Sequence, residues 1–198
     1  MLDHTEYQRI LRKLKESKGI ENPWKGFLYR SSAMEYANKA DFMSGEGSFK
    51  NGGRYNAVGS FKAVYGSLSD HTALEEAKAH AVYYNFPGHT VFPLVLAALD
   101  VSLQKILDLT SRETRDRIRI AKNIILDCDW RSEQDKGREA ATQAVGRAAF
   151  VAGFEGILVP SAADRRGKCL VFFPEKLLKG SNISYVNKNK IMRIPRKP

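Results

Sequence analysis

A glycine-rich stretch with two basic side chains is the part of the sequence best suited to hold an anion. It runs from Gly45 to Glu76 and reads GEGSFKNGGRYNAVGSFKAVYGSLSDHTALEE, with five glycines in its first fifteen residues. Glycine admits positive φ and close approach of the backbone to a ligand, and Lys50 and Arg54 add cations to the same loop. Successive exposed backbone N–H groups beside cations form an anion-binding concavity. The stretch therefore predicts a phosphate or diphosphate site, and a long flexible surface loop is the alternative that it leaves open.

Two neighbouring acidic residues follow this stretch on a predicted helix. Ser69, Asp70 and Thr72 each offer an N-cap, and Thr72 and Glu75 have the spacing of a capping box, which predicts a helix running to about Phe86. Successive helical residues project about 100° apart. Glu75 and Glu76 are therefore expected to differ, one facing solvent and the other turned inward.

Metal binding is not predicted. The same helix pairs His71 with Glu75 and Glu76 with His80 at i, i+4, a spacing that suits two metal ligands, but the sequence offers no further ligand cluster. The two cysteines lie in different segments without a Cys-x-x-Cys spacing, so neither a zinc site nor a disulfide framework is expected.

Alternating and buried apolar runs predict the strands that position these residues. They are expected at 26–31 with Arg30 near the end, 61–66 with Tyr65, 89–101, 156–161 ending in Ser161, 169–173 and 183–186. Helical periodicity is expected at 3–17, 72–86, 103–109, 111–126 and 137–153, with a helical or irregular connector at 33–43 and a polar turn around Trp130.

Composition limits the class of protein. The chain has 198 residues, 43% hydrophobic and 27% charged, which is typical of one globular domain. No apolar run is long enough to span a bilayer and the N-terminus lacks the apolar core of a signal peptide, so no membrane contact and a cytoplasmic location are expected. The net charge of +10 predicts an anionic partner, either nucleic acid, an acidic protein or a phosphorylated small molecule.

Several short motifs in order resemble the RES domain family. They are GGRYN at 52–56, Tyr65, Thr72-Ala73-Leu74 with Glu76, and VPSA at 159–162, together with Arg30, the Thr142-Gln143 pair and the strand CLVFF. The resemblance covers residues 26–174 within a single domain of residues 1–198. It leaves 1–25 as an N-terminal helical extension and 175–198 as a basic C-terminal strand and tail.

The resemblance implies a function and a fold. RES proteins are known mostly as bacterial toxins that destroy NAD by phosphorolysis or hydrolysis of the nicotinamide–ribose bond, so NAD would be a consumed substrate and not a resident cofactor. Inorganic phosphate or water would be the acceptor. The implied fold is α+β, a mixed sheet flanked by helices that resembles the ADP-ribosyltransferase fold. A helix-turn-helix antitoxin is the implied partner, and homo-oligomers are compatible with the family.

Residue roles carried over from the family complete the expectation. The implied catalytic residues are Arg30, Arg54, Tyr65, Glu76 and Ser161. The implied contacts to NAD or phosphate are Tyr29, Lys50, Gly52, Gly53 and Asn56. The glycines do not follow the G-x-G-x-x-G order of a dinucleotide-binding Rossmann fold.

Two other functions remain open at the level of sequence. Transfer of ADP-ribose to a protein or nucleic acid would use the same opening chemistry with a macromolecular acceptor. A nucleic-acid-binding module without catalysis would account for the net charge and the basic helices.

Overall fold

The computed structural model describes residues 3–33, 39–83, 94–186 and 192–193, which form helices packed on one mixed sheet. The helices of the described ranges are α1 Tyr7–Glu16, α2 Lys39–Ser44, α3 Glu46–Asn51, α4 Asp70–Tyr83, α5 Arg112–Ile118, α6 Lys122–Asp127, α7 Trp130–Asp135 and α8 Ala141–Val151. The strands are β1 Glu21–Ala33, β2 Val64–Ser67, β3 Leu94–Asp108, β4 Gly156–Pro160, β5 Lys168–Phe172, β6 Asn182–Tyr185 and β7 Met192–Arg193. None of these helices has the length and apolar character needed to cross a bilayer.

Five of the strands pair into a closed ring. The pairings run β1–β2, β2–β5, β5–β4, β4–β3 and back from β3 to β1, while β6 and β7 add to β3. Only β3 and β4 are parallel among these pairs. This arrangement confirms the predicted α+β fold with a mixed sheet flanked by helices.

Alternating side chains along the ring strands build two cores on opposite faces. Inside the ring lies the ring core, buried residues that include Leu28, Val64, Leu99, Leu158, Leu170 and Phe172. Outside it lies the helix-side core, where strand residues such as Ile157, Val159 and Val171 meet the helices. The predicted alternation in the segment 61–66 is confirmed, because Phe61, Ala63 and Tyr65 all face the helix-side core. Regular β2 begins only at Val64.

β1 and β3 extend beyond their predicted ends, because the two strands pair with each other over most of their length. β1 and β3 pair from Glu21 opposite Leu107 to Ala33 opposite Leu94, with a register shift at Pro23, which has no N–H to donate. The predicted helix at 103–109 is wrong, since β3 continues to Asp108 and pairs there with β4. Residues 89–93 of the predicted strand lie outside the described ranges.

Short helices replace two predicted elements. The single helix expected at 111–126 is divided into α5 and α6 by Arg119, which has φ 56°. The polar turn expected around Trp130 contains α7. Arg115 explains part of this local structure, because its buried guanidinium donates to the carbonyls of Leu109 and Thr110 and ties α5 to the end of β3.

Candidate active site

Glu76 of α4 meets Ser161, the residue that follows β4. The Ser161 hydroxyl donates to Oε1 of Glu76 over 2.5 Å. Ser161 is 3% exposed and Glu76 is half-buried. Glu75 turns away and pairs with Lys78, as the predicted 100° offset requires. The structure therefore brings together two of the predicted catalytic residues, 85 positions apart.

The turn after β4 holds the serine in place. Its hydroxyl oxygen accepts hydrogen bonds from the backbone N–H groups of Ala163 and Asp164, at 3.2 and 3.0 Å. With both acceptor positions occupied, the hydroxyl hydrogen is directed at the carboxylate. The Ser161 hydroxyl therefore orients Glu76.

A second contact joins the same turn to the start of α4. Thr72 Oγ1 donates to Oδ2 of Asp164 at 2.8 Å, a bond that lowers the pKa of this carboxyl. A Cβ on Gly167 would lie 2.7 Å from Asp164 Oδ2, so glycine permits this close approach. The cap of α4 is Ser69, whose Oγ accepts from the Thr72 N–H at 3.1 Å. Of the three caps that the sequence offers, Ser69 therefore caps α4, and the Thr72 hydroxyl binds the turn instead of forming a capping box.

Cys169 completes the support of Glu76, and it was missed by sequence reasoning. Its thiol donates to Oε1 of Glu76 at 3.7 Å and lies 3.6 Å from the Ser67 hydroxyl. Burial, and secondarily the Glu76 charge, raises the pKa of the thiol to about 12. The register of the β4–β5 hairpin could have identified Cys169 as a neighbour of Ser161. Cys169 pairs with Val159, and Ser161, two residues after Val159, lies on the same face of the sheet.

The GGRYN loop fixes the Tyr65 ring beside this pair. The Tyr65 hydroxyl donates to Asn56 Oδ1 at 2.7 Å and accepts from the Tyr55 N–H at 2.9 Å. A Cβ on Gly53 would lie 2.5 Å from the Tyr65 hydroxyl, so glycine is required there. Burial raises the pKa of Tyr65, whose ring remains half-buried. The hydroxyl is anchored while part of the ring stays accessible.

The backbone N–H groups of the glycine stretch do not form the predicted anion cradle. Residues 46–51 are helix α3, and the N–H groups of Gly52, Gly53 and Gly59 bond to carbonyls of Ser48, Asn56 and Phe49. The prediction failed because the glycines serve helix ends and tight turns, with positive φ at Gly45, Gly52 and Gly59. Lys50 is exposed in the last turn of α3.

Arg54 is the cation that this loop contributes to the site. One terminal nitrogen, Nη1, donates to the carbonyls of Ile125 and Cys128 at 3.2 and 3.0 Å. Its Nε and Nη2 form no hydrogen bond with the residues that the structure describes, and the side chain is half-buried. Two backbone carbonyls therefore position a guanidinium whose other N–H groups are available to an anion.

Tyr55, also missed by sequence reasoning, lies beneath the loop. It is 2% exposed, and within the described ranges its hydroxyl has no hydrogen-bond partner. Burial raises its pKa, with the Arg54 charge acting in the opposite direction. A Cβ on Gly146 would overlap the Tyr55 carbonyl oxygen, so α8 packs directly on the loop.

β1 presents Tyr29 and Arg30 to opposite faces of the sheet. Tyr29 pairs with Ser67 and shares its face, the face of the Glu76 pair. Arg30 points toward the end of the ring core, where its guanidinium lies 5.9 Å from the centroid of the Phe42 ring. Burial lowers the pKa of this guanidinium to about 10, and its Nε has no partner among the described residues. The structure does not bring Arg30 to the carboxylate of Glu76.

The histidines of α4 gather no metal ligands. Within the described ranges no three His, Cys, Asp or Glu side chains converge as a metal centre requires. Glu75 is paired with Lys78, and His80 Nδ1 lies 3.2 Å from Arg131 Nη2.

Known proteins are similar to this chain in sequence and in fold. NAD(+) phosphorylase MbcT from Mycobacterium bovis and from Mycobacterium tuberculosis are each 30% identical over 141 residues, 70% of this chain and 69% of theirs. A solved M. tuberculosis structure, the MbcT-MbcA toxin-antitoxin complex, matches with a TM-score of 0.70 at 23% identity, over 98% of this chain and 94% of that one. The RES domain family matches residues 6–187, a range that includes α1. The chain belongs to the RES domain family.

Proposed function

We propose that the chain is an NAD phosphorylase that breaks the nicotinamide–ribose bond and acts as a toxin by depleting NAD. Membership of the RES family and 30% identity to proteins named NAD(+) phosphorylase support the reaction class. The structural observation that carries the proposal is the buried serine that fixes one oxygen of Glu76. NAD is then a consumed substrate, and no resident cofactor takes part.

Glu76 is proposed to face the ribose. Nicotinamide leaves NAD as a neutral ring, and the sugar becomes oxocarbenium-like as the bond breaks. A preorganised carboxylate stabilises such a developing positive charge. Ser161 and Cys169 bond to Oε1, so Oε2 is the oxygen offered to the ribose.

Tyr65 is proposed to stack on nicotinamide. Its hydroxyl bonds to Asn56 Oδ1 and the Tyr55 N–H hold the side chain in one position, which lowers the ordering cost of substrate binding. In this proposal, Gly53 and Asn56 act on the substrate indirectly, by positioning Tyr65. Tyr29, on the same face of the sheet, is proposed to form a second side of the NAD-binding site.

Arg54 is proposed to hold phosphate. A guanidinium presents planar pairs of N–H donors that match phosphate oxygens.

In phosphorolysis, an oxygen of inorganic phosphate forms a bond to C1″ of the ribose as the C–N bond breaks. The C–N electron pair leaves with nicotinamide, and ADP-ribose-1″-phosphate results without oxidation or reduction. Arg30 is given no contact with the ribose, since it lies on the other face of β1.

Nucleic-acid binding is less well supported, because two arginines of the basic helices have partners within the fold. Arg9 donates to the carbonyls of Ile118 and Arg119, and Arg117 donates to the carbonyl of Lys18. These bonds fasten α1, α5 and the turn before β1 together. Arg9 and Arg117 therefore stabilise the fold.

A cognate antitoxin is the proposed partner. The related M. tuberculosis structure is of a toxin-antitoxin complex, and a helix-turn-helix protein is expected from the family resemblance. A cytoplasmic location, where NAD is abundant, stays a prediction.

Labelled NAD separates phosphorolysis from ADP-ribosyl transfer. The protein is incubated with NAD labelled in the adenylate part, phosphate and a bacterial lysate, with Glu76→Gln as the matched control. The proposal predicts that the label leaves NAD and stays in small molecules. Label retained on protein or nucleic acid, and lost in Glu76→Gln, would favour the transferase.

A further inference from the structure

The Thr142-Gln143 pair of α8 belongs to the family resemblance, but the proposed reaction gives it no role. Both side chains are fully buried. Buried polar groups are costly to leave without hydrogen bonds, so their partners indicate what they do. Outside α8, these partners lie in the loop that carries Arg54 and in the α6–α7 segment that binds its guanidinium.

Gln143 fixes the peptide group that precedes Arg54. Its Nε2 donates to the carbonyl of Gly53 at 3.1 Å, and its Oε1 accepts from the N–H of Ala140 at 3.0 Å. Because one backbone partner needs a donor and the other an acceptor, only one of the two amide orientations fits. The Gly53 carbonyl belongs to the peptide bond that links Gly53 to Arg54. Gln143 therefore holds the backbone from which the Arg54 side chain projects.

A second amide, that of Gln134 in α7, extends this bridge. Its Oε1 accepts from Gln143 Nε2 at 3.1 Å, and its Nε2 donates to the carbonyl of Asn51 at 3.1 Å. A Cβ on Gly52 would overlap Gln134 Oε1, so the loop passes directly against this amide. Two side-chain amides therefore bind the loop at carbonyls on both sides of Gly52.

Thr142 acts at the other end of the Arg54 side chain. Its hydroxyl donates to the thiol sulfur of Cys128 at 3.5 Å. The carbonyl of Cys128 is one of the two that accept from Arg54 Nη1, at 3.0 Å. Neighbouring residues of one helix thus restrain the backbone of Arg54 and the residue that its guanidinium binds.

We propose that Thr142 and Gln143 are positioning residues that hold Arg54 in the geometry that binds the attacking phosphate. This inference rests on the proposed function. A guanidinium binds phosphate through N–H donors in a fixed plane, so a tilt of the group loses the bidentate match. A misplacement of about 1 Å at a reacting site costs on the order of 100-fold in rate. Both residues act through Arg54, and neither contacts the phosphate.

The test compares Gln143→Met with Gln104→Met. Gln104, in β3, also donates from Nε2 to a backbone carbonyl, that of Lys179 at 2.7 Å, outside the Arg54 loop. The two substitutions therefore remove the same kind of hydrogen bond at different places. In steady-state kinetics, we expect Gln143→Met to raise the KM for phosphate by about 10- to 100-fold, with a smaller change in the KM for NAD. Gln104→Met should match the wild type in both constants.

A second pair of variants keeps the test decisive if Gln143→Met does not fold. Thr142→Val removes the hydroxyl and keeps the shape of the side chain, whereas Thr142→Ser keeps the hydroxyl. Thr142→Val should raise the KM for phosphate by about two- to tenfold, the usual effect of one neutral hydrogen bond. Thr142→Ser should restore the wild-type value. Equal KM values for phosphate in these two variants would contradict the role given to Thr142.

A double-mutant cycle shows whether Gln143 acts through Arg54. In the Arg54→Gln background, Gln143→Met should change kcat/KM for phosphate little further, because the group that it positions has been removed. An equal loss in both backgrounds would overturn the inference. Equal rises in the KM for phosphate and the KM for NAD would also overturn it, since that pattern indicates a general loss of loop order. So would a loss confined to the urea midpoint.

Phosphate binding without turnover separates this inference from the proposed function. A ligand that binds only the folded protein raises its Tm according to its Kd. A wild type that consumes no NAD, or that forms ADP-ribose without phosphate, would refute the proposed phosphorolysis. Even then, a phosphate-dependent rise in Tm that is smaller in Gln143→Met than in Gln104→Met would support the positioning of Arg54. Equal rises in the two variants would overturn it.

Discussion

Ser161 donates its hydroxyl hydrogen to Oε1 of Glu76 over 2.5 Å, while two backbone N–H groups donate to the serine oxygen. The carboxylate is thereby oriented before any substrate arrives. Such preorganisation gives a group its effect on a transition state, because no reorganisation is needed during the reaction. Glu76 and its supports are therefore the centre of the functional account.

Glu76→Gln is expected to reduce NAD consumption by about a hundred- to a thousandfold, the usual cost of removing one electrostatic stabiliser. The control is Glu75→Gln, which removes the same charge from the adjacent position, where the side chain pairs with Lys78 at the surface. NAD loss is followed by chromatography and folding by circular dichroism. If Glu76→Gln consumed NAD as fast as Glu75→Gln and the wild type, the role given to Glu76 would be ruled out.

Ser161→Ala tests the positioning of the carboxylate. The alanine leaves Glu76 charged but removes a charge-assisted hydrogen bond, so kcat should fall by about 10- to 100-fold with a smaller change in the KM for NAD. Ser60→Ala, at an exposed serine whose hydroxyl donates to the Ala57 carbonyl of its own turn, is the control. A serine that instead bound the nicotinamide amide directly would chiefly raise KM.

Gly146→Ala tests the packing of α8 on the GGRYN loop. The new Cβ would overlap the Tyr55 carbonyl, a backbone atom, so we expect a loss of about 1–3 kcal/mol in the free energy of unfolding. Gly47→Ala is the matched control, because its Cβ meets nothing within 4 Å and it lies in a helix. Urea denaturation of both variants measures the difference. The packing account would fail if both retained the wild-type midpoint.

Stability should decrease as pH rises from 8 to 10. Burial raises the pKa of Cys169 to about 12, from an ordinary 9.0, and raises those of Tyr55 and Tyr65. The unfolded chain therefore releases these protons at lower pH and binds fewer of them, so the stabilisation is complete below about pH 9 and is lost above it. The lowered pKa of Arg30, about 10, acts in the opposite direction from about pH 9 upward, but it concerns one group against three. Denaturant titrations at pH 8, 9 and 10 measure the slope, and Cys169→Ala should reduce it. A constant or increasing free energy of unfolding over this range would contradict the assignment.

Local patterns in the sequence predict much of the fold. The β4–β5 hairpin and α8 were recognisable from apolar runs closed by proline or glycine, and the offset between Glu75 and Glu76 follows from helix geometry. The continuation of β3 to Asp108 was not recognisable, because its strand character comes from pairing with β1 and β4 on its two sides. Long-range pairing overrides local periodicity.

The site was predictable in its residue types and less so in its contacts. The motifs place Glu76, Ser161, Arg54 and Tyr65 in one protein, but only the fold shows that Ser161 serves Glu76 and that the glycine N–H groups are used internally.

The most direct test of the account is the mass of the products formed from NAD with and without inorganic phosphate. The account predicts nicotinamide and ADP-ribose-1″-phosphate, formed only when phosphate is present and reduced at least a hundredfold in Glu76→Gln. Free ADP-ribose formed equally well in phosphate-free buffer would establish hydrolysis in place of phosphorolysis. Unchanged NAD under both conditions would contradict the central claim.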